Sequence, residues 1–298
     1  AAAAVPFALA SCGSGSSSSG SPGGSAGQSG GGPATIRFMW GGNDTRLKIT
    51  NQVIDMVHQK YPSITVKFES TPFKDYYNKL TTQAASNDLA CIAGLQAQRV
   101  PDVGSLFTDL KPAFQKQKFD IAKYAPSIVK GLQQDGKQLA VPYDLGPYVL
   151  YYNKNMFEAA GVPLPKPGWS EAEFMSAAKA LTKDGKYGFV ADGTPDMWLP
   201  YVLSIGGTYI KNGKPDLTND KVVQGFTWVT DLATKDKVAP TPPATGASNW
   251  PADQWRSGNA AMYVDGPWQL INAKQNVPFT IGLATIPTFD GKSITTMS

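Results

Sequence analysis

From Ala34 onward the apolar positions switch repeatedly between the alternate-residue spacing of a half-buried strand and the three-to-four spacing of an amphipathic helix. The segment "TIRFMW" predicts a strand, Thr45 to Gln59 a helix, "ITVKFES" a strand and "FKDYYNKLTTQAAS" a helix. Alternation of this kind predicts a parallel sheet covered on both faces. Farther on, "QLAVPYD" and "YVLYYN" read as strands around a proline-rich joint, and "NKNMFEAAG" as a short helix closed by Gly161. In "WSEAEFMSAAKALTKDG", Ser170 stands as N-cap with Glu173 at the capping-box position, which marks a helix start. "WLPYVLSIGG" and the stretch near Lys221 to Lys235 predict two further helices, and "FTIGLATIP" a closing strand. No internal repeat is visible.

The first 33 residues break this pattern. "AAAAVPFALAS" is apolar, uncharged and ends in small residues, which is how the back half of a signal peptide reads. With no initiator Met, the sequence is expected to begin part-way through such a peptide. No apolar run is long enough to span a bilayer as a helix. Leu9-Ala10-Ser11-Cys12 resembles the bacterial lipobox, which implies a diacylglyceryl group on Cys12 and a chain anchored on the extracytoplasmic face of a bacterial cell membrane. Each buried lipid CH₂ contributes about 0.8 kcal/mol to such an anchor. The uncharged Gly/Ser run up to Pro33 then reads as a flexible tether of about 21 residues, giving a reach of about 25 Å.

Composition narrows the function classes. The 298 residues, 42% hydrophobic, suffice for one large or two ordinary domains. The net charge of +4, from 27 basic and 23 acidic residues without like-charge blocks, leaves no nucleic-acid footprint and no polybasic membrane patch. Cys12 and Cys91 sit in unlike settings, one before the tether and one in "LACIAGL", which argues against a disulfide between them. The single histidine, His58, lies in a helical pattern with Val53, Ile54, Val57 and Tyr61, and reads as an ordinary helix residue. One histidine removes most triad, His-metal and His acid–base mechanisms. No metal site or cofactor is expected.

Several blocks carry a resemblance. "VPYDLGPYVLYYNKNMFEAAGVPLPKPGWSEAEF" resembles the crossover segment of the extracellular solute-binding proteins of ABC importers, in the sugar-binding group like maltose-binding protein. "IGGTYI", "RSGNAAMYVDGPWQL" and "IGLATIPTFDGK" resemble three further blocks of that family in the right order. The resemblance implies an α/β, two-lobed, type II periplasmic-binding-protein-like fold whose lobes are joined by hinge strands and close on a ligand. It implies a partial signal peptide over 1–11, a tether over 12–33, an N-terminal lobe over 34–143, a C-terminal lobe over 144–280, and a crossover over 281–298 returning to the first lobe. Val141 to Asp144 would be the first crossing and Ile281 to Pro287 the second. The C-terminal part of the family fold would be missing, which should leave apolar surface uncovered. The sequence departs from the family near Asn87: in "NDLACIAGLQAQRVPD", Asp88 fits the family's aspartate, but the loop with Gln96, Gln98 and Arg99 has no close counterpart.

A sugar offers hydroxyls for polar groups and C–H faces for aromatic rings. Trp40 ends the first strand, where parallel sheets present residues to ligand, and reads equally well as core. After Gly41 and Gly42, Asn43 and Asp44 could bond hydroxyls or cap the next helix. "GGND" lacks the Lys-Ser/Thr of a phosphate loop. Glu69 ends the second strand, as a cleft carboxylate or a solvated end. Trp268 in "DGPW" matches the family's Gly-Pro-Trp, whose aromatic commonly stacks on ligand, with a core position as the alternative, and Asp265 before it accepts hydroxyl bonds or only holds the turn. Asp88 at the family's aspartate position, Arg99 in the unmatched loop, Asp144, Gly146 and Tyr148 at the hinge exit, and Trp198 at the opening of the helix before Gly206-Gly207 complete the expected ligand set, while Trp169, Trp228 and Trp255, in helix-packing contexts, read as core.

The leading expectation is a lipid-anchored, monomeric binding protein that delivers a sugar or oligosaccharide to ABC permease subunits, with no catalysis. Ligand would shift the population toward a closed state. A secreted carbohydrate-active hydrolase, with Glu69 and Asp265 as paired carboxylates, is the rival from another class. A binder of peptide or polyamine on the same fold is the second.

Overall fold

The computed structural model describes residues 33–42, 44–243 and 249–296, without the side chains of Asp44 and Thr45. The chain divides into two compact units, Ala1–Pro142 and Tyr143–Ser298.

Unit 1 opens with β1 (Ala34–Gly41), α1 (Asp44–Lys60), β2 (Ile64–Thr71), α2 (Phe73–Ala85) and the short β3 (Ile92–Ala93). Its sheet has the order β2-β1-β3 and is parallel throughout, with Phe38 in register with Phe68 on one side and Ile92 on the other. α2 buries Tyr76 and Leu80 against Met39 and Trp40. In α1 the face turned inward is Leu47, Thr50, Ile54 and Val57, while Val53 and Tyr61, which share the apolar pattern, are exposed. His58 is exposed, its Nδ1 3.2 Å from the Ile64 carbonyl oxygen. Short helices α3 (Val100–Val103), α4 (Lys111–Gln117) and α5 (Pro126–Gly131) follow, then a hairpin of β4 (Gln133–Gln134) and β5 (Lys137–Gln138).

The strand expected over "QLAVPYD" therefore stops at Gln138. Val141 to Asp144 lies outside any strand, and Pro142 within it has no N–H to give to a ladder.

Unit 2 contains β6 (Val149–Asn153), α6 (Lys154–Ala160), α7 (Glu171–Leu181), β7 (Tyr187–Val190), α8 (Pro195–Ser204), the hairpin β8 (Ile210–Lys211) and β9 (Lys214–Pro215), α9 (Asp220–Thr234), α10 (Trp250–Arg256), β10 (Ala260–Asp265), α11 (Gln269–Asn276) and β11 (Ile281–Ala284). The main sheet has the order β11-β6-β10-β7. It is mixed rather than parallel: β6 runs antiparallel to both β10 and β11, and β10 pairs parallel with β7. Residues 281–298, expected as a crossover leading back to the first lobe, fall in unit 2, where β11 is an edge strand paired with β6.

Both faces of this sheet are covered, so β6 and β10 read as continuous apolar runs. Leu150, Tyr152, Met262 and Val264 meet α7 through Phe174 and Ala178 on one face. Tyr151 and Tyr263 meet Trp255 of α10 on the other. The tightest approach is at Gly188, where a Cβ would lie 2.0 Å from the Ala178 carbonyl oxygen, so α7 rests directly on the β7 backbone. The α7 start carries the expected capping box: Ser170 Oγ accepts from Glu173 N–H at 3.2 Å, and Glu173 accepts from Ser170 N–H at 2.6 Å. Gly161 closes α6 in the left-handed conformation at φ 64°. Among the described residues no helix is long and apolar enough to cross a membrane.

Candidate functional site

Sheet direction decides which side chains meet in unit 2. Because β7 and β10 run parallel and β6 opposes β10, the C-terminal ends of β7 and β10 share one sheet edge with the start of β6, Asp265 pairing with Val149. That edge presents Tyr148 from the lead into β6, Asp265 and Trp268 from the end of β10, and Asp192 and Asp196 from the turn after β7 into α8.

Trp268 is 41% exposed and meets the buried ring of Tyr148 edge-on, with centroids 5.5 Å apart and planes at 89°. Its six-membered ring lies over Gly266, where a Cβ would fall 2.1 Å from two ring carbons. Only a residue without a side chain permits this seat. Burial, together with the Asp196, Asp265 and Asp192 carboxylates around it, pushes the Tyr148 pKa well above the ordinary tyrosine value. Burial also raises the Asp196 carboxyl, an effect the neighbouring Tyr148 hydroxyl opposes and Asp192 reinforces. Asp265 is partly buried, and burial pushes its pKa up to about 6 against the hydrogen bonds it accepts from Gly266 N–H at 2.7 Å and Gln269 Nε2 at 3.0 Å. A half-exposed indole beside hydroxyl and carboxylate acceptors is a surface that can meet both the C–H face and the hydroxyls of a sugar.

Other expected site residues are placed elsewhere. Trp198 is 3% exposed inside α8, stacked on Phe226 at 4.4 Å, and belongs to the core with Val202 and Val222. In unit 1, Trp40 is 8% exposed, wedged edge-on between Phe73 and Tyr76 and lying against Gly94, where a Cβ would sit 1.8 Å from its ring. Both indoles are packed within their own units, which for Trp40 is the core alternative of its two readings. Glu69 accepts from Arg37 Nε at 2.6 Å and from Gln83 Nε2 at 3.2 Å, and the guanidinium holds its carboxyl below the usual range. Asp88 accepts from the same guanidinium at 2.6 Å. These two carboxylates are therefore joined in a structural ion network.

Arg99 lies over the Tyr77 ring at 4.6 Å and pairs with Asp102 at 3.3 Å, while the Gln96 N–H donates to the Tyr77 hydroxyl at 3.0 Å. The loop with Gln96, Gln98 and Arg99 is thus tied to α2. Asp144 is exposed and Gly146 buried in the segment ahead of β6. Asn43 and Cys12 lie outside the described residues, as does the Asp44 side chain, and Cys91 is exposed. Trp169 and Trp255 are buried and Trp228 is packed against the core as expected, Trp169 Nε1 donating to the Thr285 carbonyl at 3.0 Å.

Asp192, Asp196, Gln269 and Arg256 were not singled out from sequence. The available signal was "FVADGTPDMW", two aspartates directly after a strand and around a Thr-Pro helix start. The cavity beside Asp196, also lined by Tyr201, Trp228 and Phe289, has a volume of about 20 Å³, room for a water and not for a sugar. The "IGGTYI" block borders a separate cavity of about 260 Å³, where Lys221 Nζ is committed to the Ile205 and Gly206 carbonyls. Among the described residues no group of three or more His, Cys, Asp or Glu could hold a metal ion.

Comparison with known proteins places this architecture. An ABC substrate-binding protein of Listeria monocytogenes, solved in complex with cycloalternan, superposes with a TM-score of 0.79 at 24% identity, over 88% of this chain and 68% of that one. The GacH receptor of Streptomyces glaucescens, solved unliganded and with acarbose, gives 0.77 at 25% identity, over 88% and 69%. In sequence, the sn-glycerol-3-phosphate-binding periplasmic protein UgpB of Brucella abortus is 27% identical over 186 residues, 58% of this chain and 42% of that protein. The chain spans roughly half the length of the curated relatives it matches, 56% at the first of them. Residues 46–297 match the bacterial extracellular solute-binding protein family. With the two α/β units and the superpositions above, that match over most of its length means that the chain belongs to the bacterial extracellular solute-binding proteins.

Proposed function

We propose that this protein captures a sugar or oligosaccharide outside the cell, as a monomer held to the membrane through a lipid on Cys12, and delivers it to the transmembrane subunits of an ABC importer. The observation that carries the sugar reading is the half-exposed Trp268, seated over Gly266 and braced by Tyr148 at the carboxylate-bearing end of the unit 2 sheet. The GacH likeness supports the same ligand class, since acarbose is built of sugar-like rings. Trp268 would stack on a C–H face, and Asp196 and Asp192 would accept hydroxyl protons. Capture and delivery require no covalent bond to be made or broken.

The UgpB relationship raises a phosphate ester as another ligand. Asp192, Asp196 and Asp265 at one sheet edge oppose an anion there. A hydrolase using Glu69 and Asp265 finds no support, because Arg37 and Gln83 hold the first and the end of β10 holds the second. The test is a calorimetric titration of the full chain with mono- and oligosaccharides and with sn-glycerol 3-phosphate, products being checked by chromatography. Saturable heat with a sugar, lost in Trp268→Ala and without product, supports the proposal. Conversion of the sugar would overturn it in favour of a hydrolase, and binding of the phosphate ester alone would overturn the sugar assignment.

A further inference from the structure

Asp265 closes β10 with both carboxylate oxygens facing donors: Gly266 N–H reaches Oδ1 at 2.7 Å and Gln269 Nε2 reaches Oδ2 at 3.0 Å. The Gln269 amide cannot turn over, because its Oε1 accepts from Arg256 Nη2 and a guanidinium has no acceptor to offer in exchange. The Gly266 carbonyl accepts in turn from the Tyr151 hydroxyl at 2.8 Å. The turn from Asp265 to Gln269 is thus held from β10, β6 and α10, and Trp268 rides on it with its ring over Gly266.

We propose that Asp265 is a positioning residue: its ionised carboxylate holds the Gly266–Gln269 turn closed, fixes the attitude of Trp268, and couples ligand capture to the protonation of this one group. The proposal rests on the reading that Trp268 meets the ligand. The groups facing Asp265 are Asp196 from α8, Tyr148 and Tyr151 at β6, Tyr263 on β10 and Arg256 from α10, whose Nη1 also pairs with Asp253. Burial and the Asp196 charge drive the carboxyl toward protonation, while Gly266, Gln269 and Arg256 favour the charged form, and the balance falls at about 6. A proton removes the charge and occupies a lone pair of one oxygen, and neither Gly266 N–H nor the fixed Gln269 amide can offer it an acceptor instead. Protonation therefore weakens the charge-assisted hydrogen bonds at this carboxyl and loosens the turn.

The test uses the full chain labelled with 5-fluorotryptophan, with Trp268→Phe to assign the Trp268 resonance. In ligand-free protein that resonance should shift with a midpoint near pH 6, while that of the buried Trp169 stays still. The shift should vanish in Asp265→Asn and persist in Asp196→Asn with a lower midpoint, since Asp196 raises the Asp265 value. A Trp268 resonance flat from pH 8 to 4.5, or a titration kept in Asp265→Asn and lost in Asp196→Asn, overturns the proposal. Affinity for maltotriose, used as the probe, should fall by about five- to thirtyfold in all as pH drops through the midpoint in the wild type and not in Asp265→Asn. If the resonance titrates as expected while no sugar binds at any pH, Asp265 still positions Trp268 and the sugar reading is what fails.

Discussion

Replacing Gly266 with Ala should disable the site while leaving the fold of unit 2 in place. The added Cβ would stand 2.1 Å from Trp268 Cη2 and Cζ3 and 2.4 Å from Cε3. Carbon atoms settle at about 3.5–4.0 Å, so the ring must retreat by about 1.5 Å. The obstacle is a side chain on the surface, so the indole can swing away while the turn stays. It then loses its edge-on contact with Tyr148, worth about 0.5–1.5 kcal/mol. For a unit of this size each kcal/mol moves the melting temperature by about 2–4 °C, giving a drop of about 1–6 °C. Ligand loses an aromatic face worth about 1–2 kcal/mol, which is about five- to thirtyfold in Kd. Calorimetric titration of G266A, W268A and the double variant measures this. If the glycine acts through the tryptophan, adding G266A to W268A should cost no further affinity. Additive losses, or an unchanged Kd in G266A, would refute the reasoning.

Three further outcomes follow from the packing and charges. Gly188→Ala should destabilise unit 2 by about 1–3 kcal/mol or more in urea unfolding, because its Cβ meets the Ala178 backbone at 2.0–2.6 Å and α7 must lift from the sheet. Ser170→Ala should cost about 1 kcal/mol in the same assay by removing the acceptor for Glu173 N–H. Arg37→Met should flatten the acid side of the stability profile of unit 1. Glu69 has a lowered native pKa, so the stability it adds is present above its ordinary 4.5 and is lost as pH falls through the native value. The pair is partly exposed, so the change should stay under about 1 kcal/mol in unfolding curves taken at pH 7 and pH 3.

What was legible in the sequence is what is local along the chain. The Ser170–Glu173 capping box, the Gly161 helix end and the strands over "TIRFMW" and "YVLYYN" each depend on neighbours a few residues away, and each stands in the structure. The direction of β6 was not legible, since a strand buried on both faces shows the same apolar run whether its neighbours are parallel or antiparallel. The tryptophans divide in the same way. Trp40 and Trp198 were candidates because they stand at element ends, but Gly94 gives the first its seat and Phe226 stacks on the second, and both partners are distant in sequence. Trp268 differs because Asp265, Gly266 and Gln269, which set its position, are its immediate neighbours in "DGPWQ". Glu69 could not be tied to Arg37 by any local rule, and so read as a cleft carboxylate or a solvated strand end rather than half of an ion pair. Asp196 is the converse, an aspartate that looks like an ordinary first-turn residue of α8 until the fold brings it to Tyr148 and Asp265. Its charge raises the pKa of Asp265, so a residue with no motif of its own helps set the pH at which the motif beside Trp268 changes state.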